Sequence, residues 1–145
     1  MTQRMILLST NHPHLRFPGG DVLRALYLVY RGERKELPSL AVVFTHSRFI
    51  RKINREFLKH DYATDVIVFP LGEDDGVEGE IYINLDAARR QAREYHITYT
   101  QESRRLLIHG MLHLIGYNDT TIRKKKMMQE REDMYLELMK RKKRK

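Results

Sequence analysis

Two histidines stand four residues apart in a stretch with little else that is polar: Leu106-Leu107-Ile108-His109-Gly110-Met111-Leu112-His113-Leu114-Ile115-Gly116-Tyr117-Asn118-Asp119. From Leu106 to Tyr117 every residue is apolar, Gly, His or Tyr, and a helix that is apolar all round is a buried one. At this spacing the two imidazoles share a helix face and can chelate a single cation. A buried polar group without a partner costs ~1–3 kcal/mol, so each ring needs either a hydrogen-bond partner in the core or a metal. Glycine in a helix interior costs ~1 kcal/mol relative to alanine, and Gly110 therefore implies that backbone or substrate approaches closely there. Gly116 is placed to end the helix in a left-handed turn, and Asp119, three residues on, is a third candidate ligand.

These intervals match those of the metzincin proteases: two helix histidines, a glycine three residues after the second, and a third ligand three further on. His109, His113, Gly116 and Asp119 fall in that register, which favours metal over core histidines. Two imidazole nitrogens and a carboxylate reach Zn²⁺ at ~2.0–2.2 Å and leave a fourth position for water, the arrangement of catalytic zinc. Water bound there has a pKa near ~7. A protease, however, carries its general-base glutamate directly after the first histidine, where Gly110 stands. The substrate expected is one that needs little further help or brings its own, such as a phosphodiester with a neighbouring 2′-hydroxyl.

The segments around this helix predict what positions it. Residues 5–9, Leu40–Thr45, 64–69 and Gly79–Asn84 are short, β-branched or apolar runs that read as strands, the third ended by Pro70. Asp21 can cap a helix bearing Val22, Leu26 and Val29, and Ser47 one bearing Ile50, Ile53, Asn54 and Phe57. Asn84 can cap a helix running through Glu94, and Thr98 or Thr100 the histidine helix. A last amphipathic helix is expected from about Thr121 to Met139, its apolar face marked by Met127, Met134 and Leu138. The pattern predicts an α+β fold: one small mixed β-sheet covered by helices, with the metal-binding helix buried against its face. The acidic loop Glu73-Asp74-Asp75-Gly76 is assigned no site.

Composition narrows the class. The chain has 145 residues, 41% hydrophobic and 32% charged, which suits one globular domain. No apolar stretch approaches the ~18 residues of a spanning helix, residues 1–11 lack the apolar run of a signal peptide, and the absence of cysteine excludes disulfides and thiolate metal sites. A cytoplasmic, single-domain protein is expected, with the domain over residues 1–139 and a basic tail over 140–145. Lys and Arg number 27 against 19 Asp and Glu, a net charge of +8, and all six tail residues are basic. Without them the balance is 21 against 19. A second basic run, Arg123-Lys124-Lys125-Lys126, lies upstream. Such clusters attract polyanions through phosphate neutralisation and counterion release.

His-Gly-Met-Leu-His-Leu-Ile-Gly-Tyr resembles the H-G-x-L-H-L-x-G-Y-D-H signature of the YbeY family, bacterial metal-dependent endoribonucleases of ribosomal RNA maturation and ribosome quality control. Upstream, Asn54, Asp61 and Thr64-Asp65-Val66-Ile67-Val68-Phe69-Pro70 resemble the family's N-x-x-Y-R-x-x-D-x-x-T-D-V-L-S-F-P segment, and Gly79-Glu80-Ile81 its G-D/E-I strand. The resemblance implies a zincin-like fold, a Zn²⁺ (Ni²⁺ or another divalent ion also suits the ligands) on His109, His113 and Asp119, and cleavage of single-stranded RNA on the small ribosomal subunit. The family's third histidine falls on Asp119, the aspartate before it on Asn118, its arginine on Leu58 and its serine on Val68. No arginine or serine role is therefore transferred. Lys59 and His60 are the adjacent candidates for RNA contact, along with Arg123, Lys124, Lys125 and Lys126. Thr64 and Asp65 are candidates for a hydrogen bond to a ligand histidine. Two other readings stay open: a non-catalytic RNA-binding assembly factor with a structural metal, and a metallopeptidase.

Overall fold

Alternating apolar residues in Leu40–Thr45 and Gly79–Asn84 give each strand one face that must leave water. In the computed structural model, which describes residues 4–71 and 76–141, that face is the floor of the core. The strands are β1 (Ile6–Thr10), β2 (Leu40–Thr45), β3 (Val66–Pro70) and β4 (Gly79–Asn84). The helices are α1 (Gly19–Gly32), α2 (Ser47–Ile53), α3 (Leu85–Tyr95), α4 (Tyr99–Ile115) and α5 (Ile122–Lys140), and a π-helical turn, Asn54–Leu58, extends α2. The sheet order is β1-β2-β4-β3, with β1, β2 and β4 parallel and β3 antiparallel to β4. This is the mixed α+β architecture expected.

Leu40, Val42, Phe44, Ile81 and Ile83 are buried against α1 (Val22, Ala25, Leu26, Val29) and α4 (Leu106, Leu107, Ile108, Met111, Leu112). On the opposite face α2 packs Ile50 and Ile53 onto Ile67. α4 touches α1, α3, α5, β3 and β4, so the histidine helix is the central one. Its start is fixed by a reciprocal cap: Thr98 Oγ1 accepts from Gln101 N–H (3.0 Å) and Gln101 Oε1 from Thr98 N–H (2.9 Å).

Three expectations about elements are corrected. Asp21 lies in the first turn of α1 and accepts from Arg104 at 2.8 Å, the N-cap being Pro18. For α2 the cap is the His46 side chain, whose Nδ1 accepts from Phe49 N–H at 3.2 Å, while Ser47 N–H donates to Asp86. In α5 the buried face is one residue out of the expected register: Met127 and Met134 are exposed, and Met128, Glu132, Tyr135 and Met139 are buried. The face that holds Glu132 looks polar in the sequence, yet that carboxylate is paired inside the protein, which makes its burial tolerable. α5 continues one residue past the expected boundary at 139, through Lys140. The tail residues 142–145 and the acidic residues Glu73, Asp74 and Asp75 lie outside the described residues.

Candidate metal centre

His109 and His113 sit on the one side of α4 that the core leaves open. Both are half-buried, their ring centroids 4.7 Å apart and their planes at 71°. Behind them Gly110 faces the sheet: a Cβ there would meet Ile81 Cγ2 at 2.8 Å. The close approach expected at Gly110 is therefore made by a sheet side chain, not by backbone or substrate. It brings the imidazole-bearing turn down onto β4.

Asp119 returns to the histidines through a tightly specified reversal. Tyr117 N–H donates to Leu112 O (3.0 Å) and Gly116 N–H to His113 O (3.1 Å), the Schellman pattern. Gly116 sits at φ +124°, a conformation that side-chain-bearing residues rarely adopt. Tyr117 OH then donates to Glu33 at 2.6 Å, which pins the loop to the end of α1. Asn118 Oδ1 accepts from both the N–H (3.1 Å) and the hydroxyl (2.7 Å) of Thr120, and Thr121 caps α5. Held between these bonds, Asp119 offers a carboxylate oxygen that lies with one nitrogen of each histidine inside a 4.8 Å separation. Two imidazole nitrogens and a carboxylate oxygen gathered in this way are the donor types that a divalent transition ion takes.

The residue that sequence reasoning missed is Glu132. Its Oε2 lies 2.7 Å from His109 Nδ1, and its Oε1 accepts from Arg105 Nη1 at 3.3 Å. A carboxylate in that place accepts a hydrogen bond from Nδ1–H, which leaves Nε2 of His109 with its lone pair free for a metal. Arg105 is held in turn by two bonds to the fully buried Glu102, at 2.6 and 2.7 Å, and Gln91 donates to the same carboxylate. The hydrogen bonds that Arg105 donates to Glu102, working against burial and helped by attraction to both carboxylates, raise Arg105 above its ordinary range, so it stays charged. Burial, with His109 adding to it, lowers the His113 imidazole below its usual value, against the pull of Asp119 and Glu132. A neutral ring is the metal-ligating form.

The two histidines border an open cleft of about 290 Å³, whose walls also include Leu58, His60, Tyr62, Thr64 and Val68, while Asp119 reaches them from the loop after α4. Asn54 Nδ2 donates to Tyr62 O (2.9 Å) and shapes that wall. The sequence-predicted residues separate here. Thr64 and His60 line the cleft. Lys59, left-handed at φ 58°, ends the π-helical turn and is exposed. Arg123, Lys124, Lys125 and Lys126 are exposed on the first turns of α5. The expected bond from Thr64 or Asp65 to a ligand histidine is corrected: among the described residues the imidazole partner is Glu132. The Thr64 and Asp65 carbonyls instead accept from Asn84, at 3.0 and 2.8 Å. Those bonds lie just beyond the β3–β4 ladder and tie the start of β3 to the end of β4.

A model of the Endoribonuclease YbeY family matches residues 22–140. The chain belongs to the YbeY family. As a member it is an endoribonuclease and a hydrolase. Relatives named Endoribonuclease YbeY include one from Chlorobium chlorochromatii (strain CaD3), 39% identical over 136 residues, covering 94% of this chain and 87% of the relative. Another, from Chlorobium luteolum (strain DSM 273 / BCRC 81028 / 2530), is 44% identical over 114 residues, 79% and 83% of the two chains. The fold is similar to a solution structure from Thermotoga maritima, with a TM-score of 0.64 and 30% identity, covering 92% of this chain and 87% of that one. Leu58 and Val68, where the sequence resemblance implied an arginine and a serine, both line the cleft. The cleft wall of this chain is thus more apolar than the family pattern implies.

Proposed function

We propose that the chain holds one divalent cation, zinc by ligand type, on His109, His113 and Asp119, and that it hydrolyses single-stranded RNA in the cleft beside them. The single observation that carries this reading is the convergence of two imidazole nitrogens and a carboxylate oxygen within 4.8 Å of one another at the edge of an open cleft. When bound, the ion supplies Lewis acidity, positive charge set against the charge that develops on a phosphodiester. The protein's own groups do the rest. Glu132 keeps the proton on Nδ1 of His109 and fixes the ring's orientation. The Schellman turn and the Asn118–Thr120 bonds hold the carboxylate in reach, and burial favours neutral His113.

The peptidase alternative requires a glutamate beside the first histidine. A side chain at position 110 would bring its Cβ to 2.8 Å from Ile81 Cγ2, so a residue there requires Ile81 to move. A substrate with an internal nucleophile, the ribose 2′-hydroxyl, fits a site without that carboxylate. Ribosomal RNA on the small subunit as target and the cytoplasm as location rest on the family resemblance. Reading residues 1–139 as one hydrolase domain is supported by the single four-stranded sheet among the described residues. No helix among the described residues is long and apolar enough to cross a membrane. His113→Ala is expected to abolish both stoichiometric metal, read by elemental analysis of the purified protein, and cleavage of an unstructured oligoribonucleotide, with the fold retained. Full activity in a metal-free His113→Ala protein would contradict the reading.

A further inference from the structure

An RNA strand is longer than the cleft that cuts it. About 290 Å³ is the small end of the range for ligand pockets, room for only a short stretch of substrate. Among the described residues that line it there is no lysine or arginine. The phosphates on either side of the cut must therefore find their counter-charge outside. Two further depressions follow from the cleft through shared residues. The first shares Tyr62 with it and is bordered by Arg48 and Arg51. The second shares those two arginines and adds Lys52 and Arg55. These four cations occupy positions i, i+3, i+4 and i+7 of α2 and its π-helical extension, one helix face running for roughly 10 Å at 1.5 Å per residue. All four are exposed. Asp61 pairs with Arg51 at 2.9 Å and lies 3.9 Å from Arg55, while Arg48 and Lys52 have no carboxylate partner among the described residues. Tyr62, at the junction with the cleft, is 55% exposed and presents its ring to solvent beside His60, centroids 5.3 Å apart.

We propose that single-stranded RNA leaves the metal cleft past Tyr62 and lays its backbone along the outer face of α2, where Arg48, Arg51, Lys52 and Arg55 neutralise successive phosphates while the Tyr62 ring stacks on a base. The proposal rests on the endoribonuclease reading of the cleft and adds the path of the strand. It assigns the binding to α2, which the basic runs visible in the sequence do not mark, because its cations are interleaved with apolar residues that face the sheet. Binding of this kind is sequence-tolerant and steeply salt-dependent.

The test uses the full-length, metal-loaded protein and a fluorescent, unstructured 15-mer with 2′-O-methyl ribose, which binds without being cut. Its affinity is measured across a series of KCl concentrations. Replacing all four cations by glutamine, a good helix former, is expected to make the slope of log affinity against log salt shallower by about 2 to 3, at ~0.7 per phosphate on a single strand. The all-lysine version of the same face restores the slope. Tyr62→Ala weakens binding about tenfold with the slope unchanged. A glutamine variant that is folded by circular dichroism and keeps the wild-type slope overturns the proposal, as does a loss of slope confined to glutamine replacements at 123–126. The wild type is also given the unmodified 15-mer. Steep, α2-dependent binding without cleavage would count against the nuclease reading alone and leave the path of the strand supported.

Discussion

At the scale of single residues, the arrangement around His109 shows how an ordinary imidazole becomes a committed ligand. Glu132 is 3% exposed, and a buried carboxylate is tolerated only when it is paired. Its partners are Arg105 on one oxygen and His109 Nδ1 on the other. Loss of an outer partner of this type costs 10–100-fold in metal affinity. Glu132→Gln keeps the shape and removes the charge, so zinc affinity measured by competition against a chromophoric chelator is expected to fall in that range. An unchanged affinity would show that the bond is incidental. None of this was legible from the sequence. Glu132 sits among Glu130, Arg131 and Asp133, and nothing in its neighbourhood separates it from the solvated acids beside it. Its partners lie 23 and 27 positions back on another helix. His109, His113 and Asp119, by contrast, span eleven positions of continuous chain, and their spacing is set by helix geometry that any reader can apply.

At the scale of elements, strands and helices with strong local patterns are where the sequence places them: β2 and β4 match to the residue, and Asn84 and Thr98 cap the helices they precede. Errors gather where tertiary contacts compete with local signals. Asp21 and Ser47 are good capping residues, but an ion pair with Arg104 and a bond to Asp86 use them otherwise. The register of α5 departs from its apolar pattern for the same reason: the buried face includes Glu132, whose pairing with Arg105 and His109 is tertiary. The turn after α4 gives a sharper case. A Cβ at Gly116 would meet nothing within 4 Å, so the cost of a side chain there is that of its φ of +124° alone. Gly116→Ala is expected to lower unfolding free energy by about 1–3 kcal/mol in denaturant titrations. Because the same turn carries Asp119, zinc affinity should drop with it. A variant that loses stability and keeps full affinity would show that Asp119 is positioned by the Asn118–Thr120 bonds and not by the turn.

At the scale of the whole molecule, the main core is built by α1, α4 and α5 on the sheet, and none of the three candidate ligands belongs to it. A structural zinc contributes folding free energy outright; an ion at the rim of a finished core does not carry that load. Chelation is therefore expected to abolish RNA cleavage while the thermal midpoint moves by only a few degrees, and re-addition of zinc to restore turnover. Unfolding on chelation would favour the assembly-factor reading, in which the metal is structural. The contact between Gly110 and Ile81 has a consequence for descent as well as for chemistry. In a lineage carrying this helix the protease glutamate arrives against the strand: its Cβ would stand 2.8 Å from Ile81 Cγ2, and the packing of α4 on β4 must shift to admit it. The packing that seats the helix on the sheet thus stands in the way of the carboxylate that peptide hydrolysis needs at this position.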